Sequence, residues 1–141
     1  MIKADFTPLE FHVLNMLLAG DDAVLAALRE QLASVTAVSR NLTGHGFYLH
    51  FVIPPTTLKL HEILPVKQNF CFGDVVASGE SFNSGAGFLL WIQDGVLCTL
   101  EGYTYDEPWP ISVNSFEVKY ISGEERDYGR LQLQWLKSAK E

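Results

Sequence analysis

Two N-terminal segments space their hydrophobic residues at the intervals of an α-helix. The first is FTPLEFHVLNMLLAGDD, in which Thr7 is a capping residue and Pro8 fits the first helical position. Glu10 follows three residues after Thr7, which is the spacing of a capping box, and Gly20 is a suitable terminator. The second is AVLAALREQLAS, whose polar positions, Gln31 among them, are expected to face water. Together they predict a helical hairpin over about residues 7–34.

Beyond Ser34 the hydrophobic pattern changes to the period of β-strands. In GFYLHFVI, Phe47 and Leu49 share one face, and Tyr48 and His50 share the other. Further strand-like runs are NFCFGDVVASGE, AGFLLWIQ, VLCTLEGYTY and SFEVKYIS. Residues 56–65 fit either a turn of helix or an edge strand, and the C-terminal RLQLQWLK fits either a last strand or a short helix. The fold class predicted is α+β: one domain over residues 1–141, with the helical hairpin packed on a curled, mostly antiparallel sheet over about residues 35–136.

Asp94 and Gly95 are the strongest hairpin signal in the chain, because a type I′ turn needs positive φ at both central residues. With Gln93 opposite Val96, strict alternation gives three further pairs: Trp91 with Cys98, Leu89 with Leu100, and Phe88 with Glu101. Glu101 would then share a face with Phe88, Leu90 and Tyr103. Gly102 is expected where the strand bends or where another group approaches it closely.

A carboxylate in such apolar company has two interpretations. Glu101 is either a structural acid at the sheet rim, satisfied by a tyrosine hydroxyl, Arg40 or backbone amides, or a general acid or base whose pKa is raised by burial. In the second case a pocket would hold a small ligand, with Arg40, His45, His50 and Glu101 as its candidate residues.

The stretch YTYDEPWP ends the same strand with a rigid aromatic turn. Tyr103 and Tyr105 alternate outward, Asp106 and Glu107 solvate the turn, and flanking prolines hold Trp109 on a stiff segment. Such side chains bury large areas with few torsions to freeze, so these five residues are candidates for a binding surface. The alternative is that Trp109 folds back over the core as a plug.

Composition narrows the classes of partner. The 141 residues carry a formal net charge of -7 and only ten Lys and Arg residues, which argues against nucleic-acid and anionic-membrane surfaces. The two cysteines, Cys71 and Cys98, lie in strand-like runs without CxxC spacing, and the four histidines lack a metalloprotease spacing. No metal and no cofactor is therefore expected. The absence of a signal-peptide pattern and of a long apolar window predicts a cytoplasmic protein without a membrane partner.

Four segments carry a resemblance: LLAGDD with VLAALREQLA, VSRNLTGHGFYLHF, GAGFLLWIQDG and LEGYTYDEPWP. Over roughly residues 9–110 the chain resembles a widespread uncharacterised bacterial family of small hypothetical proteins, with the LEG-aromatic-T-aromatic ending and its Trp-Pro turn as the most specific part. The resemblance implies the same order of elements. It implies no activity, substrate or cofactor, because the family has none established.

Three functional hypotheses follow. The leading one is a small cytosolic, non-enzymatic protein-binding module, in the style of bacterial immunity proteins, whose acidic surface suits a basic protein partner. The alternative is a small-ligand binder or an enzyme that uses Glu101 as general acid or base in a sheet pocket. The third is self-association through an exposed strand edge, to which RLQLQWLK is the expected contributor. The sequence leaves the oligomeric state open.

Overall fold

The computed structural model describes residues 5–137, and in these residues two helices precede one antiparallel sheet. The helices are α1 (Pro8–Leu17), α2 (Ala23–Ala33), α3 (Leu60–Ile63) and α4 (Tyr128–Gln132). The strands are β1 (Ala37–Leu42), β2 (Gly46–Val52), β3 (Phe70–Phe72), β4 (Val75–Gly79), β5 (Phe82–Gln93), β6 (Val96–Thr104) and β7 (Glu117–Tyr120). The prediction of an α+β fold with an N-terminal helical pair is confirmed.

Both N-terminal helices begin where their capping residues predict. Thr7 accepts a hydrogen bond from the Glu10 amide at 3.2 Å, and the Glu10 carboxylate accepts one from the Thr7 amide at 2.9 Å, so the capping box is complete. Asp22 accepts a hydrogen bond from the Val24 amide at 2.8 Å and caps α2. These contacts satisfy backbone donors that the first turn of a helix leaves free.

The strands are ordered β1-β2-β6-β5-β4-β7, with β3 also paired to β5, and the sheet does not close. Residues 56–65 contain the helical turn α3, which is one of the two alternatives predicted for this connection. The C-terminal segment forms α4 and buries Leu131 and Trp135. Because β1 and β7 are the outer strands of the order, the expectation that RLQLQWLK supplies an exposed strand edge was wrong.

Helices α1 and α2 pack on one face of the sheet, and the core lies between them. The buried strand residues on this covered face include Phe47, Leu49, Phe72, Val75, Phe88, Leu90, Ile92, Leu97 and Leu100. Each fully buried side chain of this kind contributes roughly 1.5–3 kcal/mol relative to exposure. One continuous core fits the prediction of a single domain.

The β5–β6 hairpin has a β-bulge that the sequence did not reveal. Gln93 pairs with Val96 as predicted, and the turn residues Asp94 and Gly95 have φ of 51° and 76°. The register then shifts by one residue, so that the observed pairs are Trp91 with Thr99, Leu90 with Leu100, Leu89 with Glu101, and Phe88 with Gly102. Cys98 is the extra residue of the bulge, and it moves every later side chain of β6 to the opposite face.

Gly102 consequently lies on the covered face. A Cβ atom there would stand 2.3 Å from Cε1 of Phe47, so the prediction of a close approach at Gly102 is confirmed. Glu101 points the other way. The prediction that it shares a face with Phe88 and Leu90 was wrong, because both of those residues are buried against the helices.

Buried polar side chains tie the helices to the sheet. Gln31 is 4% exposed and was wrongly expected to face water. Its amide group donates to the carbonyl oxygens of Leu58 and Gly95 at 3.1 and 3.0 Å, and it accepts from the Leu97 amide at 2.9 Å. Gln31 therefore anchors α2 to the strand end next to the bulge.

Arg126 anchors the end of α1 to Asp74, the residue before β4. Its guanidinium forms a two-pronged ion pair with Asp74 at 2.7 and 2.9 Å and donates to the carbonyl oxygens of Leu17 and Ala19 at 2.7 and 2.8 Å. It also lies 5.0 Å from the centre of the Tyr120 ring. These bonds satisfy carbonyl groups that the end of α1 leaves without helical partners.

Candidate functional site

The face of the sheet opposite α1 and α2 carries the side chains that alternate with the core. We call the part of this surface that lies on β2, β3, β5 and β6 the open face; its members are Tyr48, His50, Cys71, Leu89, Trp91, Thr99, Glu101 and Tyr103. The strand register arranges them in rows. One row runs His50–Thr99–Trp91–Cys71 across four strands, and the next runs Tyr48–Glu101–Leu89 across three.

Large aromatic side chains on the open face are only partly covered. Tyr48 is 38% exposed and Trp91 is 37% exposed. The rings of Tyr48 and His50 are nearly parallel, with centres 6.3 Å apart. His50 Nδ1 lies 3.0 Å from Thr99 Oγ1, which fixes the imidazole on the sheet. Solvent-exposed aromatic rings held in place by their neighbours are typical of a binding surface.

Glu101 lies in the middle of these rings. Its Oε1 accepts a hydrogen bond from the Trp91 indole Nε1 at 3.1 Å, and Tyr48 is its direct cross-strand partner. The ion pairs in residues 5–137 are Arg40–Glu10, Lys59–Asp94 and Arg126–Asp74, and none of them includes Glu101. The carboxylate is thus half-buried among aromatic groups without a cation of the described chain beside it.

Tyr103 and Tyr105 lie at the border of the open face, and the Tyr103 ring packs over Gly87. The rings of Tyr103 and Tyr105 meet edge to face with centres 5.7 Å apart. A Cβ atom at Gly87 would stand 2.6 Å from Tyr103 Cζ, so only glycine leaves room for that ring. Burial raises the pKa of the Tyr103 hydroxyl, and Tyr105 and Glu101 add to the rise. Tyr103 is therefore a neutral, well-packed border of the surface.

A cleft of about 510 Å³ adjoins the open face on the β3 side. Leu89 and Cys71 belong to both the open face and the cleft, whose far wall includes Ile121, Leu131 and Arg130. Burial raises the pKa of the Cys71 thiol, and the charge of Glu101 adds to the rise. Cys71 is a free thiol and forms a neutral apolar part of the cleft wall.

The five binding residues predicted from YTYDEPWP fall into separate environments. Tyr103 and Tyr105 border the open face, and Asp106 is exposed at a φ of 57°. Glu107 accepts a hydrogen bond from the Ser84 amide at 3.1 Å. The Trp109 ring packs in the opposite direction: its centre is 5.1 Å from that of Phe47 and 5.1 Å from that of Phe82, both buried rings. Trp109 therefore takes the position of the core plug that was its predicted alternative.

The four ligand-pocket candidates are not brought together either. Arg40 lies on the covered face, where its Nε and Nη2 bind the Glu10 carboxylate at 2.7 and 2.6 Å, and Glu10 with its hydrogen bond raises the Arg40 pKa. Arg40 therefore cannot serve Glu101. His45 is exposed in the β1–β2 turn, with Nδ1 3.3 Å from the Glu107 carbonyl oxygen. Only His50 and Glu101 share the open face.

Glu101 lies outside the walls of three clefts of the fold. One of about 600 Å³ lies beside Arg40 and Trp109 on the covered side, and one of about 480 Å³ lies beside His61 and Lys67. Neither these nor the cleft beside Cys71 includes Glu101 in its wall. None of these three clefts therefore offers an enclosed substrate site at Glu101.

Sequence reasoning missed Tyr48, Leu89, Trp91 and Cys71 as members of a functional surface. Their alternation with buried residues was visible, but the pattern of one strand does not tell which face the helices will cover. The bulge at Cys98 concealed the rest, because it separates Glu101 from its predicted neighbours and joins it to Trp91.

Within residues 5–137, no group of three or more His, Cys, Asp or Glu side chains is placed to hold a metal ion. None of the helices in this part of the chain is long and apolar enough to cross a membrane. Comparison of the chain with protein-family models, curated proteins and solved structures finds no match. The resemblance to a bacterial family rests on the quoted motifs alone and stays a prediction.

Proposed function

We propose that this protein is a non-enzymatic protein-binding module and that the open face docks a basic protein. The observation that carries the proposal is the partly exposed aromatic surface around Glu101, on the side of the sheet away from α1 and α2. Tyrosine and tryptophan are enriched at the centres of protein interfaces, because they bury a large area at a small cost in conformational entropy.

Charge supports a basic partner. The chain has a formal net charge of -7, and Glu101 is the one acidic side chain among the eight members of the open face. Asp106 and Glu107 add negative charge beyond the Tyr105 border. A partner with a positive patch would be attracted at long range and oriented by this arrangement.

The cleft beside Cys71 supports docking of a protein segment. A flat aromatic surface that continues into a concavity offers an apolar side chain a pocket next to the main contact. An acidic cytosolic inhibitor of a basic protein, in the manner of an immunity protein, is the form of this function that the surface fits best. Placement in the cytoplasm belongs to the same proposal.

The test is affinity capture from a bacterial lysate at low and moderate salt. The wild-type chain is compared with a double variant of the open face, Tyr48→Ala with Trp91→Ala, and with Phe11→Ala. Phe11 is a matched control because it is an exposed aromatic residue on α1, on the other side of the sheet. Circular dichroism verifies that all three chains fold.

The proposal expects a stoichiometric basic protein that wild type and Phe11→Ala retain, that the double variant loses, and that added salt weakens. Recovery of no such protein by the wild-type chain, or equal recovery by the double variant, contradicts it.

A further inference from the structure

We infer that Glu101, with the rings of Tyr48 and Trp91 beside it, is a subsite for the guanidinium group of one arginine side chain. The inference rests on the proposed function, since the arginine belongs to the protein that docks on the open face. It goes further by naming the chemical group that the centre of the surface recognises.

Geometry provides the first argument. Tyr48 is directly opposite Glu101 on β2, and such cross-strand neighbours have Cβ atoms about 4.5–5.5 Å apart. Trp91 is diagonal to Glu101 on β5, and its indole N–H holds Oε1 at 3.1 Å. One carboxylate therefore lies between two aromatic side chains, each more than a third exposed. An incoming cation meets the charge and the rings together.

Hydrogen bonding provides the second argument. In residues 5–137, Trp91 is the sole side chain that donates to the Glu101 carboxylate, which leaves Oε2 free to accept. A half-buried carboxylate gains most from a charged donor that replaces the water it loses when a partner covers it. The fixed rings also mean that the site exists before the partner arrives.

The chemistry of the cation provides the third argument. A guanidinium is planar, is less strongly hydrated than an ammonium, stacks on aromatic rings and donates in a fork to a carboxylate. An ammonium group makes only point contacts and carries more hydration. The combination of rings and carboxylate at Glu101 therefore favours arginine over lysine.

The experiment is an NMR titration of the isotopically labelled chain with N-acetyl-arginine amide. N-acetyl-citrulline amide, which has the same shape without the charge, is the control probe, and N-acetyl-lysine amide measures selectivity. The indole N–H signal of Trp91 reports directly, because that group contacts Glu101. The signals of Trp109 and Trp135 are internal controls, since Trp109 packs on buried rings away from the open face and Trp135 is itself buried.

The arginine probe is expected to shift the Trp91 signal at millimolar concentration, the lysine probe less, and the citrulline probe least. Glu101→Gln keeps an oxygen that accepts from Trp91 but removes the charge, and it should weaken arginine binding roughly tenfold. Glu30→Gln is the matched acid control, because Glu30 is an exposed acid on α2, away from the open face, and this variant should bind as the wild type does.

The subsite is contradicted if the Trp91 signal does not respond to the arginine probe or responds equally to the citrulline probe. It is also contradicted if Glu101→Gln leaves the affinity for the arginine probe unchanged. Its failure is distinct from failure of the proposed function. A partner that is lost on Trp91→Ala but retained by Glu101→Gln would leave docking on the open face intact while contradicting the arginine subsite.

Discussion

The two faces of the sheet are built from alternate residues of the same strands, yet they solve opposite problems. On the covered face, Leu90 and Leu100 are fully buried and the polar groups that enter it, Gln31 and Arg126, bind several partners each. On the open face, Trp91 keeps more than a third of its surface exposed, and Glu101 has one side-chain donor within the described chain.

In this fold the covered face supplies stability, and the open face is the proposed surface for binding. A polar group on the covered face is satisfied within the chain, because an unsatisfied one would cost free energy on folding. On the open face, the Glu101 carboxylate has a single side-chain donor within residues 5–137, and a partner can supply another. Substitutions on the first face should therefore change stability, and substitutions on the second should change binding.

The largest expected difference in stability is between substitutions of two adjacent residues, Leu90 and Leu89. Leu90→Ala should lower the free energy of unfolding by roughly 3–5 kcal/mol, because it leaves a cavity in the core. Leu89→Ala, one residue earlier and on the open face, should cost less than about 1 kcal/mol. Urea unfolding of the two variants measures both. Similar losses would mean that the faces are not distinct.

The second-largest loss of stability is expected when the Arg126 side chain is removed. Arg126→Ala leaves Asp74 without its ion pair and two carbonyl groups at the end of α1 without donors, so a loss of about 3 kcal/mol is expected. Arg130→Ala, at an exposed position on α4, is the control and should change stability little. Equal stability of the Arg126 variant and the wild type in chemical denaturation would contradict the anchoring role of Arg126.

A smaller loss is expected at the anchor of α2. Gln31→Ala should destabilise the protein by about 2 kcal/mol, because the Leu97 amide and the Leu58 carbonyl lose their partner and the Gly95 carbonyl keeps only the Leu60 amide. Glu30→Ala, its exposed neighbour, should have almost no effect. Amide hydrogen exchange at Leu97 sharpens the test: exchange should accelerate in the Gln31 variant, and unchanged protection would rule out the anchor.

The smallest effect is on the dependence of stability on pH. Burial raises the pKa of the Cys71 thiol above its usual 9.0 and the pKa of the Tyr103 hydroxyl above its usual 10.0. The folded chain therefore keeps these protons when the unfolded chain has begun to lose them. The stability that these two groups contribute should be complete below pH 9.0, the ordinary pKa of the thiol, and should be lost as the pH rises through the raised pKa values of the folded chain.

The measurement is urea unfolding from about pH 8 to about pH 11, where thiols and tyrosines titrate. A Cys71→Ser, Tyr103→Phe variant should show a shallower decline than the wild type, while Cys98→Ser serves as the control for loss of a thiol. A wild-type stability that rises over this range would have the wrong sign.

Much of the fold was predictable from local chemistry. The capping box at Thr7 and the Asp94–Gly95 turn were both identified because the responsible residues are adjacent in sequence. The register of β6 was not, because a single bulge residue, Cys98, interrupts an alternation that otherwise looks regular.

The candidate site was less predictable for the same reason. Its central contact joins Trp91 and Glu101 across the bulge, and Tyr48 comes from a strand more than 40 residues away in sequence. The burial of Gln31 likewise depends on carbonyl groups near Leu58 and Gly95, which no pattern within α2 encodes. Local periodicity describes which residues share a face and leaves open what covers that face.

Site-specific photo-cross-linking can distinguish docking on the open face from docking on the helical side. A benzophenone side chain is placed in turn at Leu89, within the open face, and at Phe11, on the exposed side of α1. The account predicts that the partner retained in affinity capture cross-links at position 89 and not at position 11. Cross-linking at position 11 alone, or equally at both positions, would contradict it.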